Sequence, residues 1–105
     1  MTELLRDVIN MLDFDKDYIL ANESAKRKVE IIIENGKQYL RKICPSISDE
    51  DFQSATSARS LLFDYCRYAY SNATEMFGKN YLEDLLMLRQ EYEVNTYDDS
   101  NSDEV

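Results

Sequence analysis

The stretch SARSLLFDYCRYAYSNATEMFGKNYLEDLLMLRQEY, residues 57–92, holds no Pro and a single Gly. Its apolar register begins slightly upstream. Phe52, Ala55, Ala58, Leu62, Cys66, Ala69, Ala73 and Phe77 recur in steps of three and four. Gln53, Ser57, Ser60, Asp64, Arg67, Ser71 and Glu75 form the complementary polar stripe. This pattern predicts one amphipathic helix of about seven turns. Tyr65 and Tyr68 widen the apolar stripe on one flank, and Phe63 and Tyr70 on the other. A helix with so broad an apolar side has more than one neighbour to satisfy.

Working outward, Ser48-Asp49-Glu50-Asp51 opens this helix, with Ser48 as cap and the acids complementing the N-terminal dipole. Phe77-Gly78 is expected to stop it, Gly taking the left-handed conformation. Asn80 with Glu83 resembles a capping box for a last helix carrying Leu82, Leu85, Leu86 and Leu88. Upstream, Ala25, Val29, Ile32, Ile33, Gly36, Leu40 and Ile43 make the stripe of a helix starting at Lys16 or Ser24. Cys44-Pro45 ends that helix, because the residue before Pro is pushed out of helical geometry. A rival for this segment is a hairpin, since Val29–Ile33 is rich in β-branched residues and Asn35-Gly36 is a turn signal. At the N-terminus, Thr2 can cap a short helix with Leu4, Leu5, Val8, Ile9 and Leu12 on one side. The fold expected is therefore all-α: a bundle of four helices, the first short, over residues 1–94. Residues 95–105 (NTYDDSNSDEV) have no periodicity and read as a flexible acidic tail.

Charge and composition exclude several functions. The net charge is −9; Asp98, Asp99, Asp103 and Glu104 carry four of those charges, leaving −5 on residues 1–94. Such a body repels phosphate backbones, which disfavours tight DNA binding. No apolar run is long enough to cross a membrane, and MTELLRDVIN lacks the basic and apolar regions of a signal peptide, so an intracellular protein is expected. The chain has no His, which removes the commonest general base and metal ligand. Cys44 and Cys66 fit neither a disulfide framework nor a metal site, and Cys66 on an apolar stripe reads as a small hydrophobe.

Three chemical sites are suggested by local sequence and fail on spacing. Asp13–Asp17 alternates acids like a calcium loop, but Tyr18 and Ser24 stand where that loop needs Gly and Glu. Glu30 and Glu34 are spaced like half of an all-helical pyrophosphohydrolase's metal site, yet they fall on the polar stripe and no second acidic pair follows. Neither Gly36 nor Gly78 begins a phosphate-binding loop. No catalytic, metal or cofactor residue is expected, and the chain is not expected to be an enzyme. The eight tyrosines are more informative. Most suit core packing with the hydroxyl at the rim, while Phe63 and Tyr70 suit a protein–protein surface.

Ala58-Arg59, Asp64-Tyr65-Cys66-Arg67-Tyr68, Phe77-x3-Tyr81 and Leu85-x2-Leu88-Arg89, within residues 24–92, resemble the small helical head–tail connector (adaptor) proteins of long-tailed bacteriophages. The resemblance implies a structural virion protein at the neck between capsid and tail, present in the host cytoplasm during assembly. It implies a ring of about twelve subunits, closed by heterologous contacts. One side of the ring would bind the portal protein and the other a stopper or tail-completion protein. DNA would pass through the ring without being specifically bound. Phe63, Tyr70, Tyr68 and Arg67 are the expected subunit interface. Val94, Tyr97, Asp98 and Asp99 belong to the segment expected to order on the portal. Two other readings stand beside it: an acidic DNA mimic that occupies a nucleic-acid-binding protein, and a general helical protein–protein adaptor.

Overall fold

Asn35-Gly36 does not turn the chain. In the computed structural model these residues lie inside one uninterrupted helix, Glu23–Ile43, so the hairpin alternative is excluded. The structure describes the backbone of residues 3–12 and 16–104 and the side chains of residues 3–12 and 17–93. The elements are α1 (Glu3–Leu12), α2 (Lys16–Ala21), α3 (Glu23–Ile43), α4 (Asp49–Gln53), α5 (Ser57–Tyr70), α6 (Thr74–Asn80) and α7 (Leu82–Glu104). The fold is all-α, as the periodicity predicts, but among the described residues seven helices replace the expected four.

The difference comes from local hydrogen bonding. The predicted long central helix is three helices, because polar residues interrupt it twice. At the first break Ser54 is extended, and Thr56 caps α5 by accepting from the Arg59 N–H at 3.1 Å. The Thr56 hydroxyl also donates to the Asp51 carbonyl, so one side chain closes α4 and opens α5. Ala55, expected on the apolar stripe, is exposed there. At the second break Asn72 adopts a positive φ of 58°. The Ala73 N–H then reaches the Tyr68 carbonyl at 2.9 Å and the Asn72 N–H reaches the Ala69 carbonyl at 3.0 Å. That double bond is a Schellman closure, with Asn in the left-handed place that Gly more often fills. Gly78, expected to end the helix, instead lies within α6 and has no positive φ. Asn80 closes α6 rather than opening the last helix, and its amide donates to the Tyr68 hydroxyl at 3.2 Å.

Upstream, Asn22 separates α2 from α3 and caps α3 by accepting from the Ala25 N–H at 2.9 Å. Thr2, expected to cap α1, and Asp13–Asp15 of the acidic loop lie outside the described residues. The expected Ser48 cap is present, and Asp51 returns a bond to the Ser48 N–H at 3.1 Å, completing a capping box. The α3–α4 corner is further tied by Arg41, which donates to the Ile47 carbonyl at 3.0 Å and to Asp49 at 2.7 Å.

The most extensive helix packing is α3 against α5, and Gly36 sets its closeness. A Cβ at Gly36 would stand 2.7 Å from Leu62 Cδ1 and 2.8 Å from Tyr65 Cδ1. Both distances are far inside van der Waals contact. Around this crossing Val29, Leu40, Phe52, Ala58, Leu62, Cys66 and Phe77 are wholly buried. Helix α1 covers one end with Leu4, Leu5, Val8, Ile9 and Leu12, all buried. Its 10 residues are too few to be stable alone in water, so burial of those five side chains is what holds it.

Residues 95–104, expected within a flexible acidic tail, instead continue the backbone of α7 to Glu104, with no Gly or Pro to stop it. The side chains of Val94, Tyr97, Asp98 and Asp99, assigned to the portal-binding segment, lie outside the described residues.

The Schellman closure yields a sharp expectation. Asn72→Gly should leave stability unchanged or raised, whereas Asn72→Val should lower it by about 1–2 kcal/mol, because a β-branched residue is strained at positive φ. Equal urea midpoints for the two variants would show that residue 72 does not hold this conformation.

Candidate protein-interaction site

Two surfaces present apolar side chains to solvent beside charged ones. The first is an open cleft of about 640 Å³ between α5 and α7, lined in part by Arg59, Phe63, Asp64, Asp84, Met87 and Glu91. On α7 the buried stripe is narrow: Leu85 and Leu88 face the core and Tyr92 is half-buried. The other apolar residues of that turn region are left out, with Leu82 56% exposed, Leu86 50% and Met87 66%.

The α5 wall is held by two ion pairs. Arg59 donates to Asp7 of α1 at 2.7 Å, and its guanidinium carbon sits 4.5 Å from the centre of the Phe63 ring. The Nε atom of Arg59 is buried and makes no hydrogen bond among the described residues. Arg67 pairs with Asp64 at 2.7 Å. Burial pushes the Asp64 carboxyl up; Arg67 and a hydrogen bond from Tyr81 oppose that rise, and Asp84 adds to it. The cleft therefore carries excess negative charge over an apolar floor.

The second surface is the outer side of α3's first half, with Ser24, Arg27, Lys28 and Ile31. Ile31 is 47% exposed. Glu23 is engaged by Lys26 at 3.6 Å, and no acid pairs with Arg27 or Lys28 among the described residues. Lys28 lies 5.0 Å from the centre of the Tyr70 ring.

The residues expected at a subunit interface thus separate. Phe63 and the Arg67–Asp64 pair belong to α5 beside the cleft, and Phe63 is half-buried under Arg59. Tyr70 is half-buried beside the α3 surface. Tyr68 points inward to an aromatic cluster, edge-on to Phe77 at 5.8 Å and to Tyr81 at 5.5 Å. Leu82 and Leu86, expected among the apolar residues of the last helix, are exposed instead, and the exposed Met87 beside them is not marked by the stripe. Their signal was present in α7, where five apolar residues crowd positions 82–88 and one stripe cannot bury them all.

Elsewhere the chemistry is structural. Cys66 is fully buried and its thiol is pushed up to about 12 by that burial. Glu34 pairs with Lys37 at 3.7 Å on the surface of α3. Among the described residues no group of three potential ligands is placed to hold a metal ion, and no helix is long and apolar enough to cross a membrane. Compared with protein-family models, curated proteins and solved structures, the chain matches none.

Helix α7 is fastened beside the cleft by a bond to α4. The Tyr92 hydroxyl donates to Asp51 Oδ2 at 2.8 Å, which is the main cause of a lowered Asp51 carboxyl. The same bond and the burial of Tyr92 push its phenol up. A carboxyl lowered in the folded state contributes stability above its unfolded value of about 3.9, and that contribution is lost as pH falls through the folded value. Tyr92→Phe should therefore cost about 1 kcal/mol near neutral pH, with a smaller difference from the parent protein below about pH 4. Urea unfolding at both pH values checks this; a pH-independent difference would mean that Asp51 is not the acceptor that matters.

Proposed function

We propose that this chain is a head–tail connector subunit of a long-tailed bacteriophage, docking on the portal and linking the capsid to the tail. The observation that carries the reading is the cluster of exposed Leu82, Leu86 and Met87 on one helix of an acidic body. A subunit with such a surface is suited to contacts with other proteins. The resemblance of residues 24–92 to the connector family supplies the kind of assembly. The acidic charge is compatible with DNA sliding past a ring without adhering.

In this reading the ring has about twelve subunits, sits at the virion neck, and meets a stopper or tail-completion protein on its other side. Residues 94–105 make the portal contact, and the acidic character of that segment calls for a basic portal surface. The DNA-mimic alternative is weaker on α5, where the polar stripe offers few carboxylates and Asp64 is already paired with Arg67.

Co-sedimentation with portal rings from the same genome tests the reading. The full chain should co-sediment at micromolar concentration in low salt, and a chain ending at Tyr92 should bind about tenfold more weakly or worse. Binding that survives truncation would move the portal contact to the helices. Failure of the full chain to bind would overturn the connector function and favour a general adaptor or an acidic inhibitor.

A further inference from the structure

The two exposed surfaces share no residue and carry opposite charge. The α5–α7 cleft sets Asp84 and Glu91 around Met87, while its Arg59 is paired with Asp7 and its Asp64 with Arg67. The α3 surface sets Arg27 and Lys28 around Ile31, and the one acid of its lining, Glu23, is paired with Lys26. Each has an exposed aliphatic side chain with charges around it, the arrangement of an apolar contact centre with a polar rim. We propose that the partner of the cleft is the α3 surface of a second copy of this chain, so that copies associate head to tail.

Charge also decides the symmetry of the contact. A two-fold dimer through the cleft would bring Asp84 and Glu91 of one copy against the same acids of the other. A two-fold dimer through α3 would oppose Arg27 and Lys28 in the same way. Both place like charges together, which disfavours them. The heterologous pairing brings acid to base and Met87 to Ile31, and leaves the α3 surface of one copy and the cleft of the other still open. Such contacts propagate, and they close if the rotation between copies allows. Neutralisation by Arg27 or Lys28 also relieves the repulsion between Asp64 and Asp84 within the cleft. The proposal deepens the connector reading and rests on it for closure into a ring, but the contact itself forms without a portal.

A charge-swap experiment on the full-length chain tests it. One variant carries Arg27→Glu and Lys28→Glu; the other carries Asp84→Lys and Glu91→Lys. Analytical ultracentrifugation should show the unaltered protein associating as its concentration rises to about 1 mM. Each variant alone should lose association by about tenfold or more, and a one-to-one mixture should regain it. Recovery on mixing would also show that both variants are folded. If the unaltered protein stays monomeric at about 1 mM, the proposal is wrong. It is equally wrong if one variant alone associates normally, because the contact would then be two-fold through the surface left intact. Failure to regain association on mixing would also overturn it. Portal co-sedimentation without self-association would sink this contact and leave the connector reading, whereas self-association without portal binding would do the reverse.

Discussion

The approach of α3 to α5 at Gly36 is the constraint on which the rest of the molecule depends. With no side chain there, Leu62 and Tyr65 fill the space a Cβ would need. That closeness is what lets Val29, Leu40, Leu62 and Cys66 lose all contact with water in a chain of only 105 residues. It also fixes α5, and α5 in turn positions both exposed surfaces. Its outer side carries Phe63 and Asp64 beside the cleft, and its last turn carries Tyr70 beside Lys28.

The aromatic residues extend this packing rather than forming a surface of their own. Tyr39, Tyr65, Tyr68 and Tyr81 surround Phe77, with ring centres between 4.7 and 5.8 Å from it. Edge-on and stacked rings of this kind add stabilisation beyond their buried area. They bind α6 to α3 and α5, and α7 follows directly from α6. The bond from Tyr92 to Asp51 then fastens α7 a second time, to the capping box of α4. Between these attachments Leu82, Leu86 and Met87 remain outside. An exposed face on a helix held firmly at several points has little conformational freedom left to lose in any contact it makes.

Much of this was legible in the residues, and the parts that were not have a common cause. The stripe Val29, Ile32, Ile33, Gly36 and Leu40 is buried as its spacing predicts, and the stop at Cys44-Pro45 and the cap at Ser48 are where the sequence places them. The helix breaks at residues 54–56 and 71–73 were hidden because the apolar register runs straight through them. Periodicity reports which side of a segment is buried, whereas the breaks are made by Thr56 and Asn72 through hydrogen bonds to neighbouring backbone. The candidate surfaces were half legible for the same kind of reason. Phe63 and Tyr70 stand out as excess aromatics, but which of the α7 leucines is buried depends on how that helix rests on α5. Local spacing does not contain that information.

The most direct test of this account is the unfolding free energy of Gly36→Ala in urea. Alanine is the better helix former by about 1 kcal/mol, so in open space the substitution would stabilise the protein. The packing at Leu62 and Tyr65 opposes this, since overfilling a tight core costs about 1–3 kcal/mol. The account predicts a net loss of stability. A gain approaching the full helix-propensity difference would contradict it, because it would mean that α3 and α5 do not meet closely at residue 36.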